Sequence, residues 1–183
     1  DEVKSYLTDK YKCHTIILYG SYAEGDFSAE SDLDVLCFTD LEDHLNDTTT
    51  IQDVQLDAWI VNTSHLNTPG EYLHTISNII LLDERKLASI FIDEVERGYQ
   101  RGTEPISQNQ RVFQKSWLTK MLNRSMRLDA EGLYRYHWLL KESLEIYFEL
   151  NNRWFLGVKK SLKWLVRNDP ELYGLYVKAL KGE

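Results

Sequence analysis

The chain has 183 residues, of which 43% are hydrophobic and 27% charged, with only three Pro and nine Gly. That balance supports one full core or two smaller ones and excludes a disordered polymer. A formal net charge of −8 argues against general nucleic-acid binding, which relies on a basic surface, so a nucleic-acid partner is not expected.

The opening Asp1-Glu2-Val3-Lys4 has neither a basic flank nor an apolar core, so it is not read as a secretory signal, and a cytoplasmic protein is expected. No Met stands at position 1, which leaves room for residues upstream. Val3 to Leu7 reads as an opening helix, and His14 to Tyr19, β-branched and almost continuously apolar, as a buried strand. Gly20-Ser21 begins a polar turn or short helix. A second strand is expected over Asp32 to Thr39, then a loop rich in Asp and Thr, then a third strand from Val54 to Val61. Ser77 to Leu82 reads as a short fourth strand; its Ile79-Ile80-Leu81-Leu82 is among the longest apolar runs, far below the roughly 18 residues of a membrane span. A helix follows over about 84–102, and Gly102-Thr103-Glu104-Pro105 is the best linker. Beyond it, apolar residues recur at helical spacing. Helices are expected over roughly 109–127, 129–150, 155–168 and 170–181, with Leu140, Leu144, Tyr147 and Phe148 on one face. Strands first and helices afterwards make an α+β lobe over 1–104 and a helical-bundle lobe over 105–183.

The charge is divided along the same line. Residues 1–104 hold 7 Lys and Arg against 21 Asp and Glu, a net of −14, and residues 105–183 net +6. An acidic lobe followed by a basic one suits a polyanion or a metal-bound anion as ligand; chance segregation of surface charge is the plainer alternative.

The most informative stretch is Gly20-Ser21, a gap of ten residues, and Asp32-Leu33-Asp34-Val35. Side chains alternate along a strand, which puts Asp32 and Asp34 on one face about 6.6–7 Å apart. Two carboxylates on an otherwise apolar strand are costly unless a cation sits between them, and oxygen donors alone suit Mg²⁺ or Mn²⁺. The third strand brings one more carboxylate to that face: Asp57, flanked by Leu56 and Ala58, fits better than Asp53 at the strand entrance. Gly20 lets the backbone approach a ligand closely, and Ser21 can donate to phosphate oxygens.

These residues resemble the signature of the DNA polymerase β-like nucleotidyltransferase superfamily: Gly-Ser, Asp-h-Asp-h, then h-Asp-h, where h is apolar. The resemblance implies a small mixed sheet with flanking helices and two metal ions held by Asp32, Asp34 and Asp57. It implies transfer of a nucleotidyl group from a nucleoside triphosphate, with ATP the expected donor. The second half, through Leu139-Leu140, Tyr147-Phe148, Trp154 to Lys159 and Asp169 to Tyr173, is more loosely similar to the helical domain of antibiotic-type nucleotidyltransferases, including those acting on aminoglycosides. It is similar also to minimal nucleotidyltransferase–helical pairs. That likeness implies a small-molecule acceptor hydroxyl, with the acidic first lobe suited to a polycationic antibiotic, and leaves room for a homodimer. The alternatives are modification of a hydroxyl on a partner protein and a silent nucleotide-binding regulator.

Lys159 is expected to reach the outer phosphates; Lys160 reads as a surface residue. Glu142, Glu145 and Glu149 form one helix stripe, from which the resemblance implies a base toward the acceptor, although a solvated face paired with Lys141 and Arg153 is the favoured reading. Histidines at 14, 44, 65, 74 and 137 show no ligand spacing, so zinc is not expected. Cys13 and Cys37 lie in apolar segments and read as buried thiols. Trp59, on the Asp57 side of its strand, is the one aromatic placed to pack on a base or a sugar, although support of the core is the favoured reading.

Overall fold

The structure, a computed structural model, describes residues 1–42 and 45–182. The chain divides into two compact units, Asp1–Arg101 and Gly102–Glu183.

The first unit begins with α1 (Glu2–Tyr11), which buries Leu7 and ends at Lys12 in the left-handed conformation, φ 55°, where its N–H bonds Thr8 O. There follow β1 (Thr15–Tyr19), α2 (Gly20–Glu24) and β2 (Leu33–Thr39), then β3 (Leu45–Asp47), β4 (Thr50–Ile51) and β5 (Val54–Asn62). Two 3-10 segments, Thr63–Asn67 and Pro69–Thr75, lead to β6 (Asn78–Asp83) and α3 (Ala88–Arg101). The sheet order is β3-β5-β2-β1-β6, with β4 paired to β5 beside it. β2 and β5 run parallel, while β1 is antiparallel to both β2 and β6.

Alternation along the strands sends apolar side chains to both faces. Val35, Cys37, Leu56, Ala58 and Ile60 join Ile16, Cys13 and Leu7 in a core on one face. On the other face Phe38 meets Phe91 of α3 with ring centroids 5.1 Å apart, and Tyr72 packs against Phe91 at 5.7 Å. Helix α3 presents Ala88, Phe91 and Val95 to this layer, the i, i+3, i+7 spacing of a helix stripe. Both cysteines are buried free thiols, as their apolar settings suggest; burial, and then contact with Cys13, push the Cys37 thiol well above its ordinary value.

The expected Asp/Thr loop contains β3 and β4, which pair with β5. Strands of three and two residues carry no periodic signal; backbone hydrogen bonds to a neighbour define them. Gln52 and Asp53 have φ of 50° and 63°, the double left-handed turn that joins a tight hairpin. Helix α3 starts at Ala88 rather than near Glu84 because Asp83 accepts hydrogen bonds from the N–H groups of Leu87 (2.9 Å) and Ala88 (3.1 Å) and holds a turn ahead of it.

The second unit is helical: α4 (Gln108–Ser125), α5 (Ala130–Leu150), α6 (Val158–Asn168) and α7 (Pro170–Leu180). Mixed sheet with helices, then helices alone, is the α+β arrangement expected. Ser107 and Gln110 form a reciprocal capping box at α4, and Asp129 caps α5 through Gly132 N at 2.8 Å. Asp169 caps α7 at Leu172 N (3.1 Å) and accepts the Tyr147 hydroxyl at 2.7 Å. Leu144, Phe148 and Leu165 form the buried centre. Among the described residues, no helix is long and apolar enough to cross a membrane.

Candidate active site

The parallel register of β2 and β5 sets Asp34 directly beside Asp57. Neighbouring strands lie about 4.7–4.9 Å apart, so the two carboxylates share one row on one face. β1 completes the row. Its pair Leu18–Val35 leaves Tyr19 one step further along, level with Asp34 and on the same face. Burial, reinforced by the negative charges of Asp34 and Asp57, pushes the Tyr19 phenol well above the ordinary tyrosine range. Both carboxylates therefore act on the same buried point.

Gly20 closes this row. Its φ is +69°, and a Cβ built there would lie 2.1 Å from Asp34 Oδ2. Only glycine accepts both the left-handed backbone and that approach. Ser21 follows in the first turn of α2, where its carbonyl accepts the Asp26 N–H at 3.1 Å. Asp57 Oδ1 accepts the Asn46 side-chain amide at 2.6 Å, which orients the carboxylate. Asn46 lies in a stretch read from sequence as loop, and only the pairing of β3 with β5 places it here.

Asp32 stands one residue ahead of β2 and is exposed; Asp53 is exposed in the β4–β5 turn. Among the described residues no group of three or more His, Cys, Asp or Glu is gathered so as to hold a metal ion. The Asp34–Asp57 pair nevertheless fits a magnesium-type cation. Its donors are hard oxygens on neighbouring strands, and Mg²⁺ is commonly held by one or two carboxylates together with substrate phosphates and water.

The same face carries a cavity of about 390 Å³ lined by Tyr19, Leu36, Trp59, Tyr72 and His74. Leu36 and Trp59 are register partners, two residues beyond Asp34 and Asp57 on their strands. Tyr19, Tyr72 and His74 carry no motif in sequence, and the 3-10 segment Pro69–Thr75 brings the last two over the sheet.

Lys159 is exposed in the first turn of α6, in the second unit. Glu149 accepts a hydrogen bond from Gln114, and Glu142 pairs with Lys141 at 3.9 Å. Arg153 lies over the Trp164 ring at 4.4 Å. His14 donates to or accepts from Thr15 and Thr63 hydroxyls at 2.9 and 2.8 Å; His44 lies outside the described residues.

Residues 1–86 match the model of the family described as Polymerase beta, Nucleotidyltransferase. No curated protein sequence matches the chain. Among solved structures, the chain is similar to a nucleotidyltransferase-like protein from Exiguobacterium sibiricum 255-15, with 11% identity and a TM-score of 0.46. That likeness covers 96% of this chain, which spans only 65% of the length of the relative. The family match supports nucleotidyl transfer as the general chemistry of the first unit.

Proposed function

We propose that this protein transfers a nucleoside monophosphate from a nucleoside triphosphate, with ATP the expected donor, to a hydroxyl of a small-molecule acceptor and releases pyrophosphate. The observation that carries this reading is the row formed by the Gly20 turn, Asp34 and Asp57 on adjacent strands.

Asp34 and Asp57 would hold Mg²⁺ or Mn²⁺, with Asp32 available from the strand entrance. The cation supplies neutralisation of charge on the triphosphate. Gly20, lacking a Cβ, lets the backbone approach the phosphates, and Ser21 donates to them. Asp57, oriented by Asn46, accepts the proton of the acceptor hydroxyl. The new bond joins the acceptor oxygen to the α-phosphorus, and the bond from the α-phosphorus to its bridging oxygen breaks. Pyrophosphate leaves with that electron pair. Such catalysis is positioning and electrostatics.

The test is an acceptor screen with α-labelled ATP and the other triphosphates in the presence of Mg²⁺. Label on a small molecule with release of pyrophosphate is expected, lost in Asp34→Asn. Label on a partner protein would move the acceptor to a protein hydroxyl. Triphosphate binding with no pyrophosphate release under any condition would overturn the enzymatic reading.

A further inference from the structure

We propose that the cavity beside the Asp34–Asp57 row is the acceptor subsite and takes an uncharged ring bearing a hydroxyl, stacked on Trp59. The inference rests on the nucleotidyltransferase reading and names its substrate class. Three observations point to it. Trp59 is two residues from Asp57 on the same strand, so the two side chains leave one face of β5 about 6.6–7 Å apart along the backbone. The cavity opens on the face that carries Asp34 and Asp57, and its volume of about 390 Å³ is at the small end of the range for ligand pockets.

Its walls are the third observation. Leu36, Tyr19, Tyr72, His74 and Trp59 supply apolar faces with polar tips and no carboxylate. Burial, with a smaller contribution from Glu71, pushes the Tyr72 phenol up to about 12. That phenol stays protonated at neutral pH. Tyr72 is fixed by a hydrogen bond of 2.7 Å with His65 Nδ1, and the Tyr19 and His74 rings meet edge to face at 5.1 Å. An aromatic cradle of this kind binds flat rings through stacking and C–H contacts. A polycation finds no partner in its walls, despite the acidic balance of the first unit.

The probe is phenyl β-glucoside, which offers an aryl face and a sugar face, with binding to the full chain read by saturation-transfer NMR without nucleotide. Binding to the parent and to Asp34→Asn alike is expected. Trp59→Ala, at a side chain 45% exposed and so outside the core, should weaken it by about tenfold or more, and Trp59→Phe should restore most of it. Benzyl alcohol and methyl β-glucoside then assign the stacking to the aryl or the sugar ring. Equal binding to Trp59→Ala, or no binding to the parent, would overturn the proposal, as would loss of ATP affinity in Trp59→Ala or an aminoglycoside bound more tightly through Trp59. Failure of the enzymatic reading is distinct: Trp59-dependent glucoside binding by a chain that never releases pyrophosphate.

Discussion

Gly20 and Asp34 illustrate how much can rest on one backbone angle. Gly20→Ala places a methyl group 2.1 Å from Asp34 Oδ2 at φ +69°. The left-handed backbone alone costs about 1–2 kcal/mol, and displacement of Asp34 adds the loss of the row. A lowered melting temperature and loss of pyrophosphate release are the expected outcome. Asp34→Asn should also abolish transfer but leave melting unchanged or slightly raised. Like charges directly opposite on paired strands cost up to about 1 kcal/mol, and the amide removes that repulsion. Asp53→Asn, in the hairpin turn, is the control expected to retain activity; damage there equal to that of Asp57→Asn would displace Asp57 from the site.

Asp47 sets an acid limit on the first unit. Burial raises its pKa, but hydrogen bonds from Thr49, Tyr11 and Lys10 overcome this and hold the carboxyl well below the ordinary range. A depressed carboxyl contributes stability that is complete above the unfolded value of about 3.9 and disappears as pH falls through the folded value. Denaturant titrations from pH 6 downward should therefore show stability falling below about pH 4, with a shallower fall in Asp47→Asn.

At the scale of elements, periodicity made most of the fold legible. The β-branched run at β1 and the alternation of Leu56, Ala58 and Ile60 with Gln55, Asp57 and Trp59 in β5 state both the element and the buried side. α3 does the same through Ala88, Phe91 and Val95. Phe91→Ala removes the ring against which Phe38 and Tyr72 pack and should cost about 3–5 kcal/mol in denaturant unfolding. What escaped were elements built on partners rather than pattern. β3 and β4 exist because β5 offers backbone groups to pair with, and the 3-10 segments between Thr63 and Thr75 lack the length for a period to register.

Across the whole chain, the division of charge, −14 before residue 105 and +6 after it, belongs to composition and needs no structure. It underlies the expectation for Lys159. Lys159→Ala should weaken ATP binding about ten- to a hundredfold, the value of a charged hydrogen bond to phosphate, and leave AMP binding unchanged. Lys160→Ala should change ATP binding little. Calorimetric titration with both nucleotides checks this, and equal loss for ATP and AMP would remove Lys159 from the outer phosphates.

By itself the sequence determined the strand and helix periods, the glycine turn after a buried strand, and the candidate carboxylates, because each is a local property of spacing. Only the tertiary structure decided the neighbours. The β2–β5 register, which sets Asp34 beside Asp57, is a choice between strands with other elements between them, and a slip of one residue would turn Asp57 to the opposite face. The cavity walled by Tyr19, Trp59, Tyr72 and His74 draws on two strands and a 3-10 segment with no shared period. Such a surface exists only once long-range pairing has paid the entropy of bringing those segments together.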